Sequence, residues 1–135
     1  MMHPQKFNPR QDYLRQENQR VQDSVGLAEK FRELKSLTAM LAYFKADGVT
    51  KNGEIKYTFD PDHTKSVVRF DCSNYECVQG GFDLSETLAR AVAQRRTTVA
   101  GEMCCQGWHS KDTIGAVRCH HILRYKLKLA YRKRA

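Results

Sequence analysis

One segment decides the fold of this chain: VRCHHILRYKLKLAYR, residues Val117–Arg132. Its residues alternate between two sets, the odd-numbered positions, which are mostly apolar, and the even-numbered positions, which are mostly basic. The apolar parity runs through Val117, Cys119, His121, Leu123, Tyr125, Leu127, Leu129 and Tyr131, and the basic one through Arg118, His120, Ile122, Arg124, Lys126, Lys128, Ala130 and Arg132. Because side chains alternate between the faces of a strand, this pattern predicts a β-strand with one buried face and one basic, solvated face. Cys119 lies on the buried face.

The N-terminal third predicts a long helix. Asn8 is suited to the N-cap and Pro9 to the first helical position. Apolar residues then recur at helical spacing to about Ala46, and Gly48 is suited to a left-handed C-cap. Because the first part of this helix is much more polar, we divide the chain into a polar N-terminal helical segment, residues 1–26, and an α+β domain, residues 27–135.

The middle of the chain supplies the other elements. Two strands, Glu54–Phe59 and Ser66–Cys72, are predicted to pair around the turn residues Asp60-Pro61-Asp62, and a helix from Asp83 to about Gln94 and a strand over Thr97–Trp108 follow. The last of these strands turns back into the final one. We therefore predict an α+β fold in which an N-terminal helix precedes a ββαββ unit with a mainly antiparallel, zinc-stabilised sheet.

The five cysteines lie in the C-terminal half, at Cys72, Cys77, Cys104, Cys105 and Cys119. Cys72 and Cys77 precede two glycines, a spacing that suits a zinc knuckle. A final hairpin centred on Asp112 places Cys105 directly opposite Cys119 on the buried face. The predicted ligands of a closed, tetrahedral, structural Zn²⁺ site are Cys72, Cys77, Cys105 and Cys119.

Two features of this site stay open at the level of sequence. A register slip of one residue exchanges Cys105 for Cys104, which otherwise lies opposite His120 on the outer face. His121 lies inward beside Cys119, where it is a candidate ligand or a neighbour of one. The competing hypotheses are buried thiols without a metal, which are common in protein cores, and a redox or disulfide role.

The charge of the chain points to an anionic partner. The net charge is +8, and residues 111–135 alone hold eight basic and one acidic residue. The residues predicted to bind nucleic acid or another anionic macromolecule are Arg118, Arg124, Lys126, Lys128, Arg132, Lys133 and Arg134. The alternative is a protein-interaction or adaptor domain that uses the N-terminal helix, with a structural zinc and a basic tail that only favours solubility.

Several other function classes lack their sequence signals. The chain has no run of 18 apolar residues and no signal-peptide pattern, so we expect a cytoplasmic protein with no membrane partner. It also has no HExxH motif, P-loop, dinucleotide fingerprint or deaminase pattern. We therefore predict a binding protein and not an enzyme; the sequence leaves its oligomeric state open.

Overall fold

A computed structural model describes residues 8–74, 77–110 and 116–133 and shows helices with an antiparallel sheet. The helices are α1 (Pro9–Asp23), α2 (Leu27–Lys30) and α3 (Ser85–Ala93), with a 3₁₀ turn at Pro61–His63, and the strands are β1 (Leu34–Phe44), β2 (Lys51–Phe59), β3 (Arg69–Phe70), β4 (Phe82–Asp83), β5 (Thr98–Cys104), β6 (Trp108–Ser110), β7 (Ala116–Arg118) and β8 (Ile122–Tyr131). The main sheet has the order β2-β1-β8-β5. The remaining strands form two short two-stranded ribbons, β3–β4 and β6–β7.

The final segment forms a central strand of the main sheet. Leu123, Leu127 and Leu129 of β8 are buried, whereas Lys126 and Lys128 are exposed, so burial follows the predicted parity. The segment is nevertheless divided between β7 and β8. His120 has a positive φ of 54°, which an extended strand does not allow, and the chain changes direction there.

The predicted long helix is wrong over residues 34–44, which form β1. This strand lies between β2 and β8 and pairs with both along its length. Leu34, Leu37 and Leu41 fit a helical stripe, but Leu37, Ala39 and Leu41 also alternate as a strand requires, and all three are buried. Pairing on both sides satisfies the strand's backbone groups, so the tertiary context overrides the helical pattern.

The predicted hairpin between Glu54–Phe59 and Ser66–Cys72 is also wrong. The first segment lies within β2, which pairs with β1 across a turn held by Asp47, whose carboxylate accepts hydrogen bonds from Val49 and Thr50. Of the second segment only β3 is a strand, and it pairs with β4. Three of the four predicted strands thus contribute to the main sheet, whereas its remaining strand is β1 and not Ser66–Cys72.

The two faces of the main sheet have different surroundings. The inner face packs against α3 and the β3–β4 ribbon, where the buried residues include Leu88, Ala91, Val92, Phe82 and Phe70. On the outer face no outward-pointing side chain that the structure describes is buried. The side chains on the outer face are instead exposed or half-buried.

Helix α1 is attached by polar contacts, since none of its residues is buried. Arg20 forms an ion pair with Asp83 at 2.9 Å, and Glu17 lies 3.6 Å from the guanidinium of Arg69. Within the described residues, no helix has the length and apolarity needed to span a membrane.

Candidate metal centre and basic sheet face

Four buried cysteines form a compact sulfur cluster: Cys72, Cys77, Cys105 and Cys119. Their Sγ atoms all lie within 4.8 Å of one another. Two of the separations, Cys72–Cys119 and Cys77–Cys105, are 3.5 Å. A single ion with metal–sulfur bonds of about 2.3 Å sets tetrahedral ligands about 3.8 Å apart. The spacing and the buried thiol donor set therefore make this cluster a candidate metal site.

The cysteines come from two parts of the fold. Cys72 and Cys77 flank the loop between β3 and β4, whereas Cys105 directly follows β5 and Cys119 directly follows β7. The two pairs of cysteines come together because the loop is bonded to the β6–β7 ribbon. There Val78 and Trp108 exchange backbone hydrogen bonds of 2.6 and 2.9 Å.

The register of the last hairpin differs from the predicted one by two residues. The amide of Cys105 donates to the carbonyl of His121 at 2.7 Å, and that of Cys119 donates to the carbonyl of Gly107 at 2.9 Å. Cys105 is thus opposite His121 and not Cys119, and the predicted centre at Asp112 lies outside the described residues. Because a shift of two residues preserves side-chain parity, both cysteines still point inward.

Two glycines allow the sulfur atoms to come together. A Cβ at Gly80 would lie 2.6 Å from the Sγ of Cys105 and would overlap the Sγ of Cys77. A Cβ at Gly107 would also overlap the Sγ of Cys77 and would lie 2.6 Å from the Cα of Gly80. Any larger residue at either position would displace the cluster, so these glycines are part of the site.

The thiols influence one another's ionisation. A hydrogen bond from the Cys72 thiol, together with the amides of Gly81 and Gly107, lowers the pKa of Cys105 to about 5. Donating that hydrogen bond, together with burial, raises the pKa of Cys72. Burial and a hydrogen bond to Cys105 raise the pKa of Cys77 to about 12. The metal-free cluster therefore favours one thiolate beside protonated thiols, whereas a bound cation stabilises further thiolates and releases their protons.

Arg10 of α1 is a residue of this site that the sequence analysis missed. Its guanidinium donates hydrogen bonds to the carbonyls of Cys77 at 2.7 Å, Asn74 at 3.0 Å and Cys72 at 3.4 Å. It therefore ties α1 to the loop that carries Cys72 and Cys77. No local sequence signal identifies Arg10, because it lies more than 60 residues from the carbonyls that it binds.

The remaining candidate ligands lie apart from the cluster. Cys104 is exposed and pairs with Ile122 on the outer face of the sheet, and His120 is exposed as well. His121 follows His120 in the chain, and its Nδ1 is buried without a hydrogen-bond partner among the described residues. None of the three belongs to the group of residues that surrounds the candidate metal position.

The structure separates the basic residues that were predicted to act together. Arg124, Lys126 and Lys128 project from the outer face of β8, whereas Arg118 ends β7 in the small ribbon. Arg132 and Lys133 are exposed just beyond β8, with Arg132 3.9 Å from Asp62. Arg134 lies outside the described residues.

Three lysines and three threonines form a basic patch on the outer face: Lys56, Lys126, Lys128, Thr38, Thr58 and Thr98. Strand register places them in two adjacent rows, Thr58–Thr38–Lys128–Thr98 and Lys56–Met40–Lys126–Ala100, which contain no acidic residue. None of the three lysines forms an ion pair with any residue in the described ranges. Lys56 was missed because its strand was predicted to pair elsewhere.

The row next to the basic patch, Glu54–Ala42–Arg124–Glu102, contains two acidic residues and one basic residue. Arg124 binds Glu102 at 3.1 Å and lies over the ring of Phe44, with 4.4 Å between the guanidinium carbon and the ring centroid. Trp108 lines a cavity with Pro9 and Tyr13 of α1 and is not part of the basic patch. The basic patch thus offers charge and hydroxyl groups without an aromatic ring.

No protein-family model, curated protein or solved structure gives a significant match to this chain. A proposal for its function therefore rests on the cysteine cluster and on the basic patch.

Proposed function

We propose that this protein is a zinc-stabilised module that binds nucleic acid through the phosphate groups, using the basic patch. The observation that carries the proposal is an uncovered sheet face on which Lys56, Lys126 and Lys128 have no acidic partner in the described structure. Zinc holds the fold together at one end of the sheet, and the patch provides the contact surface.

Zinc is the ion that best suits the cysteine cluster. Four thiolates in a tetrahedron bind either zinc or an iron–sulfur centre. Sulfur separations of 3.5 Å suit ligands of one ion, because a cluster of several irons would hold its thiolates farther apart. With four protein ligands a zinc ion has no open position for a substrate, so its role is structural.

The side chains of the basic patch match a phosphate backbone. Lysine ammonium and threonine hydroxyl groups both donate hydrogen bonds to phosphate oxygens, and such contacts carry no base information. Neighbouring strands lie about 4.8 Å apart, so the rows present donors along a continuous surface. Without an aromatic ring in the patch there is no stacking platform, and we expect binding that depends on charge and not on sequence.

The first test is the double variant Lys126→Glu and Lys128→Glu, titrated with labelled DNA and RNA oligonucleotides at several salt concentrations. We expect a large loss of affinity. The slope of log affinity against log salt should fall by about 2, because each lysine that contacts a phosphate releases about one counterion.

The matched control reverses two charges away from the patch, Lys30→Glu and Arg90→Glu. Lys30 is exposed on α2, and Arg90 is exposed on α3, which packs on the inner face. This control has the same net charge as the test variant and should retain most of the wild-type affinity. Equal affinity of the test variant and wild type would rule out the patch and favour the alternative, a protein partner of α1.

A further inference from the structure

We propose that two copies of this chain associate through the free edges of β2, forming a continuous eight-stranded antiparallel sheet. Strand β2 is at the end of the main sheet and pairs only with β1. Its other edge presents backbone hydrogen-bonding groups that another strand can pair with. The edge of β2 is a different surface from the basic patch, although Lys56 belongs to both.

Strand β2 exposes large hydrophobic side chains, which a free edge strand usually avoids. All its residues from Lys51 to Thr58 are exposed. Ile55 is 40% exposed and Tyr57 is 38% exposed, and they are two of the four large exposed hydrophobic residues in the described part of the chain. A groove of about 550 Å³ separates Tyr57 from α1, so the helix does not cover this stripe.

The sequence of β2 is complementary to itself when a second copy runs antiparallel and the two Ile55 residues face each other. In that register Glu54 lies opposite Lys56 of the second copy, and Lys56 lies opposite its Glu54. Both pairs are on the outer face, because Lys56 and Glu54 lie in register with Met40 and Ala42 there. Opposite charges that face each other directly across two strands stabilise the pairing.

The inner face of the same register is complementary in shape. Tyr57 lies opposite Gly53 of the second copy, and nothing occupies the space within 4 Å of the position where Gly53 would carry a Cβ. Within the main sheet Tyr125 already lies over Gly101, its direct partner on β5. An aromatic ring over a glycine covers exposed backbone and fixes the register of a strand pair. The two Ile55 side chains would meet between these Tyr–Gly pairs.

A second copy is favoured over a foreign strand because the pattern is symmetric about Ile55. The interface is isologous, so it closes after two copies and gives no fibre. Since the axis is perpendicular to the sheet, both basic patches would lie on the same side of the dimer.

The test measures molar mass of the zinc-loaded full chain by light scattering and native mass spectrometry, without nucleic acid. The wild type should change from the 15.6 kDa monomer to a dimer as its concentration rises through the micromolar range. Glu54→Lys and Lys56→Glu should each weaken the dimer on the order of tenfold or more, because each sets like charges opposite one another twice.

Mixing the two variants decides the register. One chain then has two lysines at positions 54 and 56 and the other has two glutamates, so every cross-strand pair is attractive and a heterodimer should form. The double variant Glu54→Lys with Lys56→Glu should likewise dimerise as the wild type does. The controls Glu29→Lys and Lys30→Glu, both on exposed sites of α2, should leave the dimer unchanged.

A wild type that stays monomeric throughout this range would overturn the inference. So would a mixture of the two charge variants that remains monomeric while the wild type dimerises. Neither result bears on nucleic-acid binding, because the measurement is of molar mass and no oligonucleotide is present.

Discussion

At the scale of single residues, the two adjacent cysteines have different environments. Cys105 is buried, and its Sγ accepts hydrogen bonds from the amides of Gly81 and Gly107, both at 3.4 Å. Cys104, its neighbour, points to the exposed outer face. Because the two cysteines lie on opposite faces of the strand, Cys105 is a candidate ligand and Cys104 is a surface thiol.

This difference predicts unequal effects of cysteine-to-serine substitution. Cys72→Ser or Cys119→Ser removes one ligand and should lower the free energy of unfolding by about 3 kcal/mol or more, as loss of a metal site does. Cys104→Ser should change it by about 0.5 kcal/mol or less, as for other exposed positions. Urea unfolding followed by circular dichroism measures all three, and equal tolerance of the three substitutions would contradict the four-cysteine site.

The four cysteines could be predicted from sequence because an error of two residues in the register does not change the face of the strand on which a side chain lies. The register of the described residues differs from the predicted one by two residues, which leaves Cys105 and Cys119 on the same face. The glycines that let the sulfurs approach could not be assigned this role from sequence, since it depends on contacts between distant segments. The same is true of Arg10, whose three carbonyl acceptors belong to a loop on another element.

At the scale of elements, β1 is a strand that hydrophobic periodicity alone does not distinguish from a helix. Its leucines at 34, 37 and 41 satisfy a helical period, and the alternation that marks the strand is obscured by the small residues Ser36, Ala39 and Ala42 between them. Strand pairing on both sides decides between the two periods, and that information is not local. By contrast, α3 and β8 were predictable because their apolar patterns fit only one period.

Helix α1 is attached through a partly exposed network of charges at Glu17. This carboxylate accepts hydrogen bonds from Arg20 at 2.7 Å and from Tyr13 at 3.0 Å, and it faces Arg69. The hydrogen bond from Arg20, together with that from Tyr13, lowers the pKa of Glu17 below its usual 4.5. Since the folded-state pKa is depressed, the stabilisation is complete above pH 4.5 and is lost as pH falls through the lower folded value.

We therefore expect Glu17→Gln to loosen α1 at pH 7. Amide hydrogen exchange over Pro9–Asp23 should be faster in the variant than in the wild type. The difference should disappear as pH falls through the lower folded-state pKa of Glu17, because the wild-type carboxylate is then itself protonated. Comparing both proteins at each pH cancels any change that they share, including protonation of the cysteines. Identical exchange in α1 at pH 7 would show that Glu17 does not hold the helix.

At the scale of the whole molecule, the cysteine cluster joins two parts of the fold. The loop between β3 and β4 contributes two cysteines, and the segments that flank the β6–β7 ribbon contribute the other two. The main sheet, in contrast, is held by long antiparallel pairings between its four strands. The order of those strands could not be read from sequence, because it depends on which segments meet and not on their local patterns.

The central claim is that one metal ion, zinc, completes this structure. Elemental analysis of the purified, untagged protein beside its native mass tests it most directly. We predict one zinc per chain, lost together with the amide protection of the β6–β7 ribbon when a chelator removes it. Protein without bound metal, with five free thiols by titration and the same protected ribbon, would contradict the account.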